Sequence, residues 1–92
     1  MTKYKVFQQE GKFGTQELVA ENLSATAAQK LVFELATKEA SYHNGDWQYS
    51  FESNSRSIYF HSNDRHGVKK ELVGRKGDEK IELRGFSFWM EA

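Results

Sequence analysis

The sequence predicts an α+β fold. It reads as a single domain over residues 1–92, an antiparallel β-sheet of about five to six strands with one α-helix packed on one face, in the order β-β-α-β-β-β-β. Three observations predict it. Apolar residues recur at helical spacing from Ala28 to Ala36. Residues 47–52 and 57–61 alternate apolar and polar with the period of a strand. Clusters of Gly, Asn, Asp and Ser separate these stretches. A chain of 92 residues has room for one core.

Residues 3–9 are rich in β-formers and place Tyr4 and Val6 on one face. Gly11 and Gly14 bracket a turn, and residues 15–21 read as the second strand of a hairpin. Phe13, in that loop, is expected to lie as a lid on the edge of the core. The helix follows. Ser24 is its expected N-cap, because a serine hydroxyl accepts a free backbone N–H of the first turn. Ala28, Leu31, Val32, Leu35 and Ala36 form one stripe, with Lys30, Glu34, Thr37 and Lys38 on the outer side. Glu34 and Lys38 stand in the favourable order for an i,i+4 ion pair. Phe33 flanks the stripe, either wrapped over the sheet edge or exposed for a partner. The helix is expected to end between Lys38 and Ala40.

The rest reads as strands. Trp47, Tyr49 and Phe51 share an aromatic face, residues 53–56 form a turn, and Ile58 and Phe60 point to the core. Residues 62–67 read as a polar loop, residues 68–73 as a further strand or a short helix, and residues 74–78 as a turn. Residues 80–90 read as a last strand whose alternation changes phase at Gly85, the mark of a bulge or bend. One helix covers one sheet face, so the face carrying Gln48, Ser50, Glu52 and Tyr59 is left to solvent or a partner.

Composition narrows the function. Thirteen of 92 residues are aromatic, which disordered chains lack. The absence of cysteine excludes disulfides, thiol catalysis and cysteine-based metal sites. No apolar run exceeds three residues, so no helical membrane span is expected. The first five residues lack the apolar core of a secretory signal, so a cytoplasmic location is expected. His61, Asp64 and His66 lie close together but match no standard zinc spacing and read as polar loop residues. The serines sit in no nucleophile elbow, and Gly74-Arg75-Lys76-Gly77 is no phosphate loop. No cofactor motif is present, and the chain reads as a non-enzymatic protein.

The formal net charge of zero hides an asymmetry. Residues 1–55 hold five lysines and seven acids, whereas residues 56–84 hold eight basic residues, including all four arginines, and five acids. Arg65, Lys69, Lys70, Arg75 and Lys76 form the densest basic run, interleaved with His66. With the loop residues Asn63 and Asp64, these are the candidate partner-binding residues. Arginine suits bidentate contact with phosphate or carboxylate. The alternative reading is a solvated basic edge that protects a strand from aggregation. So modest a positive excess releases few counterions, so free nucleic acid should be held weakly.

One stretch carries a resemblance. Glu17-Leu18-Val19-Ala20-Glu21-Asn22-Leu23-Ser24, then Ala27-Ala28-Gln29-Lys30 and Thr37-Lys38-Glu39, run a strand directly into a capped, alanine-rich helix. This quarter of the chain resembles small phage-encoded anti-CRISPR proteins, in particular a short inhibitor of type I-F surveillance complexes. The resemblance implies a small non-enzymatic protein with one helix on an antiparallel sheet. It implies a partner that is a protein or protein–RNA complex, with contact to guide-RNA or DNA backbone, and inhibition by blocking target DNA. No functional residue carries over from it. Two other readings stand beside it: a small nucleic-acid-binding module, and an assembly protein that dimerises through a strand edge.

Overall fold

The structure is a computed structural model that describes residues 2–42, 49–64, 67–83 and 85–92. Its elements are β1 (Tyr4–Glu10), β2 (Glu17–Leu23), α1 (Ala25–Tyr42), β3 (Tyr49–Ser53), β4 (Ser57–Asp64), β5 (Gly67–Arg75), β6 (Lys80–Leu83) and β7 (Phe86–Glu91). The class is α+β and every strand pair is antiparallel, as the sequence predicts. The seven strands divide into two sheets where one is expected: four in the order β2-β1-β7-β6 and three in the order β3-β4-β5. The sheets lie side by side and lengthen the molecule. Its radius of gyration is 14.1 Å, against about 12 Å for a globular chain of this length.

The helix begins where its cap dictates. Ser24 Oγ accepts the Ala27 N–H at 3.2 Å, and the Ser24 carbonyl accepts the Ala28 N–H at 2.9 Å; such a cap stabilises a helix by ~1 kcal/mol. Ala28, Val32, Ala36 and Ala40 are buried against the four-stranded sheet, their small side chains letting the helix axis approach closely. Phe33 is only 8% exposed and belongs to the core. The helix runs to Tyr42, past the expected end. On the outer face Glu34 pairs with Lys30, one turn back at 4.0 Å, rather than with Lys38.

Val6, Ile81, Leu83 and Phe88 supply the sheet side of the core. Burying each such side chain stabilises by roughly 1.5–3 kcal/mol relative to leaving it exposed. The three-stranded sheet adds Phe51, Ile58 and the half-buried Phe60, whose ring centroid is 5.2 Å from that of Phe51. The sheets meet where β5 leads into β6, with Gly74 against Ile81.

Three expectations need correction. Residues 80–90 are a hairpin, not one bent strand: Leu83 faces Phe86, and Gly85 sits at φ 87° in the two-residue connection. A two-residue turn shifts the alternation by one, just as a bulge does, so the phase change alone does not separate the two. Residues 62–64 continue β4 instead of forming a loop, because Ser62 pairs with Lys69 and Asp64 with Gly67; the same pairing makes residues 68–73 a strand, one of the two readings the sequence left open. Phe13 is no lid. It is 97% exposed on the β1–β2 loop. The open-face residue Gln48 and the aromatic Trp47 lie outside the described residues.

β2 is irregular in a way the sequence did not announce. Between Tyr4↔Leu23 and Val6↔Ala20, and again between Val6↔Ala20 and Phe7↔Leu18, β2 holds one extra residue. Asn22, at φ 61°, takes the left-handed conformation the first bulge requires. The double bulge puts Ala20 on the inner face with Val6 and Leu18 on the outer face with Phe7.

Candidate functional site

The predicted basic cluster is not one patch. Lys69 and Lys70 are consecutive on β5 and so project from opposite faces. Arg75 and Lys76 stand at the other end of that strand, about 16 Å from Lys70 at ~3.3 Å per residue. Asn63 and Asp64 end β4, where their backbones pair with Val68 and Gly67; their side chains, and all of Arg65 and His66, lie outside the described residues.

Lys70 is engaged within the open face of the three-stranded sheet. Its Nζ lies 3.1 Å from Glu52 Oε2 and 4.3 Å from the centre of the Tyr59 ring. His61 Nε2 is 2.9 Å from the same carboxylate oxygen. A carboxylate only accepts, so that ring nitrogen carries the proton. The register explains the meeting: Glu52 faces Tyr59, and His61 faces Lys70, across adjacent strands. The hydrogen bond from His61, then that from Lys70 and its charge, hold the Glu52 carboxyl below the usual carboxylate range, against a smaller opposing effect of lost hydration. A carboxyl lowered in the folded state contributes stability that is present above its unfolded pKa and lost as pH falls through its folded pKa. Glu52→Gln should therefore flatten the loss of stability on acidification. Urea midpoints at neutral and acid pH check this, and equal losses in the two proteins would refute it. Glu71 lies on the opposite face beside Phe60, so Glu52 and Glu71 form no carboxylate pair.

A second group of cations gathers elsewhere. Asn54 Oδ1 accepts the N–H groups of Arg56 at 2.8 Å and Ser57 at 2.9 Å, which fixes the β3–β4 turn. Asp78 Oδ2 accepts the Arg75 N–H at 2.8 Å, and the Asp78 N–H returns to the Arg75 carbonyl at 3.0 Å, which fixes the β5–β6 turn around Gly77 at φ 105°. The Lys76 N–H then donates to the Arg56 carbonyl at 2.8 Å and ties the two turns together. Arg56, Arg75 and Lys76 are exposed at this end, and none of the three side chains has an ion-pair partner among the described residues. By contrast Lys30, Lys70 and Lys80 are each paired with a glutamate. Even with Asp78 and Glu79 beside it, the end is net positive.

Arg56 is the residue missed by reading runs of charge. Its signal was the meander itself: in β3-β4-β5 the first turn and the exit of the third strand fall at the same end, so Arg56 had to approach Arg75.

The outer face of the four-stranded sheet holds a second feature that was not foreseen. Phe7 and Trp89 stack across β1 and β7, with ring centroids 5.7 Å apart and planes at 19°. The Trp89 indole N–H donates to Glu91 Oε2 at 3.2 Å. A cleft of about 370 Å³ at the β1–β2 end is lined by residues including Glu10, Thr15, Glu17 and Glu39, with no His, Cys or Lys among the described residues of its walls. Among the described residues, no group of three or more His, Cys, Asp or Glu could hold a metal ion, and no helix is long and apolar enough to cross a membrane.

Comparison with protein-family models, with curated proteins and with solved structures finds no match to this chain.

Proposed function

We propose that the chain is a non-enzymatic binding protein that occupies a mixed protein–RNA surface on an RNA-guided surveillance complex in the cell cytoplasm and blocks target DNA. The observation that carries the reading is the trio Arg56, Arg75 and Lys76: cations with no ion-pair partner among the described residues, on two turns tied by a backbone hydrogen bond. Two guanidinium groups and an ammonium on turns whose backbone is already ordered suit phosphate oxygens. The trio is too small to hold free nucleic acid at physiological salt, so protein contacts supply the remaining affinity. The strand-to-capped-helix stretch over residues 17–39, with its likeness to a type I-F inhibitor, supports the choice of partner.

The test is inhibition of target-DNA binding by a purified type I-F surveillance complex, read by electrophoretic shift. Wild type should inhibit. Arg56→Glu/Lys76→Glu should inhibit at least about tenfold less at the same concentration, with an unchanged circular dichroism spectrum. Absence of inhibition by wild type, or equal inhibition by the double variant, would overturn the proposal. So would a strong shift of naked RNA or DNA by wild type at ~100 mM salt, which marks an autonomous nucleic-acid module.

A further inference from the structure

The outer face of the four-stranded sheet is opposite the helix, and its centre is apolar. Leu18, Phe7, Trp89 and Lys80 form one row across β2, β1, β7 and β6. Leu18 is 50% exposed, and Phe7 and Trp89 are each partly exposed. On one side of this row Lys5 faces Glu91, and on the other Gln9 faces Ser87 and Glu82 faces Ser87 from the other flank.

Lys5 and Glu91 are register partners of opposite sign, yet they form no ion pair with each other. Lys5 has no side-chain partner among the described residues, and the Glu91 carboxylate takes only the Trp89 indole N–H. Lys5 and Lys80 balance Glu82 and Glu91 on this face, so it offers a polyanion no net attraction. The face is instead complementary to itself. A two-fold axis running along the strands between β1 and β7 exchanges each register pair. It lays Lys5 over Glu91 of a second copy and Phe7 over Trp89 of a second copy. It also lays Leu18 over the aliphatic stem of the second copy's Lys80. Two sheets stacked this way keep their strands nearly aligned, the usual packing of twisted sheets.

We infer that this face is an isologous interface with a second copy of the chain. Four strands at ~4.8 Å and six residues at ~3.3 Å give a footprint of about 400 Å². A standard stable interface takes ~800 Å² per partner. The dimer is therefore weak and concentration-dependent.

Sedimentation velocity on the full chain, from about 10 µM to about 1 mM, tests it, since a small interface dissociates in that range. Wild type should move reversibly from monomer toward dimer. Lys5→Glu and Glu91→Lys should each remain monomeric, because each sets like charges over one another. Their equimolar mixture should dimerise again, because opposite signs then meet across the two chains. Charge pairing within one chain has no such rescue, so the mixture separates an interface from a structural role. Trp89→Ala should also remain monomeric. A monomer at every wild-type concentration, as expected if the face receives a different protein, would overturn the inference. So would a dimer indifferent to both reversals, or a mixture that stays monomeric.

Discussion

Gly74→Val is expected to destabilise the fold by ~3 kcal/mol or more. A Cβ placed on Gly74 falls 2.8 Å from Ile81 Cγ1 and 2.9 Å from both Cδ1 and Cγ2. No carbon packs so close, so something must move. Ile81 is 1% exposed and enclosed by the core, which leaves its side chain no alternative site. Overpacking by a single small group commonly costs ~1–3 kcal/mol, and valine adds two further methyl groups at the seam between the sheets. The whole stability of a domain this size is of order 5–14 kcal/mol at the usual value per residue. Urea unfolding followed by circular dichroism gives the loss. Adding Ile81→Ala should restore part of it, and the double-mutant cycle should show favourable coupling. A Gly74→Val midpoint equal to wild type would mean the seam is not packed as described.

Phe88→Ala carries the second large effect. Phe88 is buried on β7, between Gln8 of β1 and Ile81 of β6, with the helix over it. Truncating a buried phenylalanine costs ~3–5 kcal/mol, the lost transfer free energy plus the cavity left behind. The natural control is Phe13→Ala. The same chemical change on a fully exposed ring should stay within about 0.5 kcal/mol. A comparable loss in both variants, measured by denaturant midpoint, would show that Phe13 packs against the core after all.

The fold was legible where local physics decides. The stripe from Ala28 to Ala36 and the hydroxyl of Ser24 fixed the helix start and its buried face, and Asn54 marked its turn. Tertiary choices were not legible. The phase shift at Gly85 fits a bulge or a hairpin equally, and only the pairing of Leu83 with Phe86 separates them. Residues 62–64 look like loop because they are polar, and the lysines at 69 and 70 leave strand and helix equally open. Both stretches are strand because backbone pairing in a half-exposed sheet tolerates polar side chains on both faces. The candidate site fared similarly. Arg75 and Lys76 were legible as a basic turn, but the sequence run grouped them with Lys69 and Lys70, and strand geometry separates what a run joins. Arg56, nearly twenty residues from Arg75, is brought to it only by the meander.

One feature of the four-stranded sheet governs when the protein can form. Its two central strands are β1 and β7, and their pairing spans most of the chain. The residues that bury the helix, Val6 on one strand and Phe88 on the other, become neighbours only after β7 has emerged from the ribosome. Without Phe86–Glu91 the helix and the first hairpin have no middle of the sheet to pack on. Folding therefore waits on that pairing, and its rate is set by closing the long loop between β1 and β7.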